Sequence, residues 1–225
     1  MWHLGLSNRL SPKCLFIFLE RFGFLGDDGL KGVVGLPTFR ETKAAGTRFE
    51  SACRDVFSRY TRHIKWSTKV DTAYTQSGVT EIDLLVAIAD VLLIVESKNI
   101  RSIKGGLTDS QWVLEGAESG EKYTALNIFT QNRIHARSLK NAWFQKRAEL
   151  LVTLPLIIVP DECSMEADVE QAGIFYFSQL DSQLRDIVAD WGNKPARYGY
   201  ALDYLIPSDD YYLKRGDFVD PVRRG

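Results

Sequence analysis

The chain has 225 residues, 45% hydrophobic and 25% charged, with a formal net charge of −1. That is ordinary globular composition, long enough for one large domain with extensions. Overall charge points to no partner, so any basic face must be local.

Three cysteines, Cys14, Cys53 and Cys163, stand far apart with no C-x-x-C pair. Neither a disulfide framework nor a zinc ribbon is suggested, and a reducing cytoplasm fits best. The three histidines, His3, His63 and His135, lack metal-ligand spacing. In chain order, residues 1–45 read as an N-terminal extension containing the apolar run "CLFIFLERFGFLG" at 14–26. Glu20 and Arg21 cut that run too short to span a bilayer, so it is expected to pack on the domain or on a second copy, without membrane contact. A helix is expected over 47–63, with Thr47 as its cap, Glu50 at capping-box spacing and Phe49, Cys53, Val56, Phe57 and Tyr60 as its apolar stripe. A strand follows at 64–70, then two apolar strands in "TEIDLLVAIADVLLIVESKN", residues 80–99. Residues 100–123 are turn-rich and read as a small hairpin or loops. A long amphipathic helix is expected over 125–151, strands at 154–160 and 173–180, and a helix at 181–191. The order predicts an α/β domain over 46–191 with a mixed central sheet flanked by helices, and leaves 192–225 as an unassigned tail.

The paired strands carry charge at one end only. A turn centred between Ala89 and Asp90 sets Asp83 opposite Glu96 and Glu81 opposite Lys98. Opposed residues share a face of an antiparallel pair, and so do Glu96 and Lys98, two apart. Three carboxylates and a lysine then converge beside strands that are apolar on both faces. Facing carboxylates repel unless a proton or cation joins them, and all-oxygen donors suit Mg²⁺, Mn²⁺ or Ca²⁺. The competing reading is a rim salt bridge between Glu81 and Lys98, with Asp83 and Glu96 reaching solvent.

"GTRFE", "EIDLLV", "IVESKN", Trp112 and "NIFTQNRIH", in that order, resemble the nuclease-related (NERD) domain of the PD-(D/E)XK nuclease superfamily. The resemblance spans about residues 46–147 and departs at Asp90, where the family has Gly, and at Ile128, where it has Pro. It implies a restriction-endonuclease-like core and a metal-dependent phosphodiesterase acting on nucleic acid, DNA first. It also implies Asp83 and Glu96 as ligands of Mg²⁺ or Mn²⁺, with the Ser97 carbonyl and Glu50 as further ligands. Lys98 would stabilise developing charge, and Gln131 would hold the strands and substrate.

For Glu50 the capping box remains an equal alternative, and Glu81 is expected to pair structurally with Lys98. Asn127, Gln131 and His135 fall four apart on one helical face. Arg133, Arg137 and Lys140 on the long helix, and Arg48 and Arg54 on the first, are the residues expected to meet a phosphate backbone. Trp112 and Trp143 are expected in the core rather than stacked on bases. The rival readings are a catalytically inactive nucleic-acid-binding module with the same fold and an assembly protein joined through its N-terminal extension.

Overall fold

The computed structural model describes residues 43–147, 151–191 and 198–214. The expected packing of 14–26 lies outside the described residues. Helix α1 (Lys43–Ser58) leads into a six-stranded mixed sheet. Its strands are β1 (Ile64–Asp71), β2 (Val79–Ile88), β3 (Val91–Ser97), β7 (Thr153–Val159), β8 (Ile174–Tyr176) and β9 (Tyr212–Leu213). Their order across the sheet is β8-β7-β3-β2-β1-β9. A second sheet is a meander of β4 (Ile100–Lys104), β5 (Gln111–Gly116) and β6 (Lys122–Leu126). Helix α2 (Ile128–Arg147) returns the chain to β7, which runs parallel to β3. Short α3 (Ala167–Gln171), α4 (Leu180–Trp191) and α5 (Gly199–Leu205) complete the domain.

Both faces of the large sheet are covered, which explains the unbroken apolar runs of β2 and β3. On one face Leu85, Ala87, Leu92 and Ile94 pack against Leu139 and Trp143 of α2 and Leu202 of α5. On the other, Leu84, Val86, Leu93 and Val95 pack against Phe57 of α1 and Leu184 and Ile187 of α4. A third cluster holds the small sheet through Trp112, Leu114 and Ile128. Trp112 is about as buried as Trp143, and its indole N–H donates to the Gly106 carbonyl at 2.9 Å.

Three expectations are corrected. Helix α1 begins at Lys43, so Thr47 lies within it and cannot cap it. Residues 100–126 form a sheet of three strands, since alternating Ile103, Trp112 and Leu114 have an apolar floor to bury on. The expected tail is partly core: Tyr198, Leu202, Leu205 and Leu213 are buried, and β9 pairs with the outer edge of β1. The apolar positions there are too few per element to read as periodic.

Candidate active site

The β2–β3 register is the one the sequence implies, running from Ile88↔Val91 to Leu84↔Val95. Ala89 closes the turn at φ 48°, a left-handed conformation that glycine adopts without strain. Beyond Leu84↔Val95 the two strands part. The Ser97 N–H, where the next rung would fall, donates instead to Oδ2 of Asp83 at 2.8 Å. The Ser97 hydroxyl reaches the same oxygen at 3.3 Å.

A matched switch of faces accompanies this opening. Ile82 packs on the α2 side and Leu84 on the α1 side, although residues two apart in a regular strand share a face. In β1, Trp66 and Val70 switch in the same way, and Ser67 between them takes φ 51°. The β1–β2 register pairs Trp66 with Leu84 and Thr68 with Ile82, skipping Ser67 and Asp83. Asp83 therefore does not simply share the face of Glu96, as strict alternation would have it. Its carboxylate lies in the gap between the strands.

Glu96 is fully buried and points at α2. Its Oε1 accepts from the Lys98 ammonium at 2.5 Å and from Gln131 Nε2 at 2.8 Å. Its Oε2 makes no hydrogen bond, although His135 Nδ1 stands 3.2 Å away and is itself unsatisfied. Burial pushes the Glu96 carboxyl up, but Lys98 and His135 more than offset it and hold it at about 2. Burial pushes Asp83 well above the usual carboxylate range; the Glu96 charge adds to this and Lys98 offsets only part. Burial would lower the Lys98 ammonium, yet Glu96 and Asp83 drive it up, so it stays charged. The expected pairing of Lys98 with Glu81 is not what forms. Glu81 is exposed and takes the Ser67 hydroxyl, because the strands have parted before reaching it.

Glu50 approaches from α1. It accepts from the Trp66 indole at 3.0 Å rather than closing a capping box, and burial is the main cause raising its pKa. Among the described residues no three His, Cys, Asp or Glu side chains gather as a ready metal cage. A cation here would draw on Asp83, Glu96, the Ser97 carbonyl and water. The oxygen-only donor set and the buried carboxylate oxygen left without a hydrogen bond fit a hard divalent ion.

The expected phosphate-binding residues are dispersed. Arg48 pairs with Glu118, and Arg54 pairs with Asp209 and stacks over Trp66. Arg133, Arg137 and Lys140 are half-buried rather than fully solvated, and Arg137 lies over the Tyr74 ring at 5.1 Å. At 3.6 residues per turn, Arg133 projects roughly 160° around α2 from Gln131. The basic stripe thus lies on the far side of the helix from Glu96. Asn127 is the N-cap of α2: its Oδ1 accepts from the Phe129 N–H at 2.9 Å.

The family model for the nuclease-related domain matches residues 45–160, just over half of the chain. The chain belongs to the nuclease-related domain family. No curated protein and no solved structure matches it. The nuclease-related segment runs from α1 to the end of β7 and contains Glu50, Asp83, Glu96, Lys98 and Gln131. Helices α4 and α5 and strand β9 lie outside it, yet they cover its sheet on both faces. No helix among the described residues is long and apolar enough to cross a membrane.

Two residues at this nuclease-related site escaped the sequence reading. Trp66 sits in β1 and its indole fixes Glu50. Asn132, next to Gln131, is 1% exposed and bonds to two strands. An asparagine on the buried side of an amphipathic helix was the available signal for the second.

Proposed function

We propose that this nuclease-related domain is a metal-dependent phosphodiesterase that hydrolyses nucleic acid, DNA in the first place, with Mg²⁺ or Mn²⁺ as cofactor. The supporting observation is the buried Glu96 held by Lys98 and Gln131, with the Asp83 carboxylate beside it on the Ser97 N–H. When bound, a divalent ion would polarise the scissile phosphate and lower the pKa of an attacking water. Asp83, Glu96 and the Ser97 carbonyl would hold it, with Glu50 reaching it through water.

Lys98 keeps some solvent contact, so its ammonium can face a phosphate while its stem stays packed. With Glu96 and Asp83 beside it the Lys98 ammonium is held charged, which favours stabilising negative charge as it develops over acting as a general base. Gln131 holds Glu96 in one rotamer, so the carboxylate is set before substrate arrives. Arg133, Arg137 and Lys140 would bind the phosphate backbone at a distance from the chemistry.

The test is incubation of the protein with supercoiled, linear and single-stranded DNA and with RNA, in Mg²⁺, in Mn²⁺ and in chelator. Cleavage that needs the metal and disappears in Asp83→Ala supports the proposal. Cleavage that survives in chelator, or none with any substrate, overturns it. A second reading, a binding module without turnover, draws on the lack of a three-residue metal cage among the described residues. Metal-independent DNA binding without cleavage would favour it.

A further inference from the structure

Besides the contacts of Gln131 and His135 with Glu96, helix α2 meets the backbone of the large sheet through one buried amide. Nδ2 of Asn132 donates to the Ile94 carbonyl of β3 at 3.2 Å and to the Leu156 carbonyl of β7 at 3.0 Å. Both partners are carbonyl oxygens, so the amide nitrogen must face them and the opposite flip would set oxygen against oxygen. The Asn132 Oδ1 that then points away is buried with no hydrogen bond. Leaving such an oxygen unsatisfied is a net cost to folding. An apolar side chain would avoid that cost, so stability alone does not account for an asparagine here.

The two carbonyls are not in need of Asn132 either. The bonds Leu92 N–H to Val152 O, at 3.0 Å, and Lys98 N–H to Ile158 O, at 2.9 Å, fix the phase of the β3–β7 ladder. In that phase the Ile94 carbonyl takes the Leu156 N–H, and the Leu156 carbonyl takes the N–H of Glu96 itself. Asn132 therefore adds a second bond to the carbonyl that already anchors the Glu96 backbone. The next residue back, Gln131, reaches Oε1 of Glu96, and one turn on His135 faces its Oε2.

We infer that Asn132 is a positioning residue, which fixes the height and rotation of α2 over the one rung of the sheet that carries Glu96. The apolar contacts of Leu139 and Trp143 hold the helix on the sheet without defining where along it the helix stops. The doubly donating amide supplies that registration, and through it Gln131 and His135 meet the two oxygens of Glu96. This rests on the reading of Glu96 as the working carboxylate.

The experiment compares Asn132→Leu and Asn132→Ser, neither of which reaches the ladder carbonyls, with the wild type. Melting temperature, Mn²⁺ affinity by titration calorimetry, and kcat and KM for DNA cleavage are measured for each. Activity should fall in both variants, with kcat roughly 10-fold or more lower and KM little changed, as misplacement of a catalytic group predicts. Stability should separate them, with leucine equal to or above asparagine and serine lowest, because serine leaves space unfilled. If kcat simply tracks melting temperature, Asn132 is a structural residue only and the inference falls. A crystal structure of Asn132→Leu separates this from failure of the functional reading. There the separation of Gln131 Nε2 from Glu96 Oε1 should open past hydrogen-bonding range whether or not the wild type cuts DNA. An unchanged separation overturns the inference.

Discussion

Replacing Lys98 by alanine tests the electrostatics of the site directly. The ammonium lies 2.5 Å from a carboxylate oxygen of Glu96, which is wholly buried. At an effective dielectric constant of ~20, unit charges 3–4 Å apart attract by roughly 4–6 kcal/mol. The net loss is smaller, because the Lys98 side chain remains 24% exposed and Gln131 still donates to Glu96. About 2–3 kcal/mol is expected, below the ~3–5 kcal/mol for breaking a fully buried pair. At about 2–4 °C per kcal/mol for a chain of this size, Lys98→Ala should melt roughly 4–12 °C below the wild type near neutral pH. The pH dependence has a definite sign. In the wild type the Glu96 carboxyl is depressed to about 2, so its contribution is present above the unfolded value and lost only as pH falls through about 2. Without Lys98 burial dominates, the carboxyl rises, and the variant loses stability as pH climbs above the unfolded value of about 4.3. The gap between the two proteins should thus be widest near neutrality and narrow towards about pH 4. Differential scanning calorimetry across that range reads it, and single-turnover cleavage should drop about 10²-fold in parallel. Equal melting at neutral pH, or a gap that widens in acid, would refute this account of Glu96.

Asp83→Ala removes a carboxylate, so Mn²⁺ binding and cleavage should disappear together; tight Mn²⁺ binding with no cleavage would take Asp83 out of the ligand set. Charge reversal at Arg133, Arg137 and Lys140 should weaken DNA binding to all sequences alike and flatten its salt slope. Since this stripe faces away from Glu96, kcat at saturating DNA should be retained. Cys53 and Cys163 are buried, with burial the leading cause pushing each thiol to about 12. Alkylation at about pH 8 should spare both until the protein unfolds, because the thiolate is the reacting species.

The hairpin was legible because two apolar runs, one central turn and a side-chain period of two leave a single register, which Ile88↔Val91 confirms. The ionic partners were less legible. Register placed Glu81 opposite Lys98, but the ladder stops at Leu84↔Val95, so Lys98 turns to Glu96 instead. Nothing local to either strand announces that opening, which coincides with an irregularity at Ser67 in a third strand. Glu50 shows the converse failure. Its spacing from Thr47 imitates a cap, and only the non-local partner Trp66 reveals its use. Charge counting along α2 found the arginines but not their direction, since a linear run of cations does not say which side of the helix is occupied. Asn132 was lost among polar neighbours, because its partners are carbonyls of strands that enter much earlier and later in the chain.

Strand β9 has a consequence for the making of the protein. Tyr212 donates its hydroxyl to Asp71 across a separation of 141 positions, and Leu213 lies beside Val70. The first strand of the sheet is thus completed by almost the last described residues. Until those residues leave the ribosome, β1 has an open edge and the α2-side core lacks Leu202, Leu205 and Leu213. At about 5–20 residues per second, that edge stays unpaired for on the order of 10 s during each round of translation. Unpaired strand edges on nascent chains recruit one another. Crowded polysomes are therefore where this fold is most exposed to aggregation, and slowing translation after β1 would lengthen the exposure.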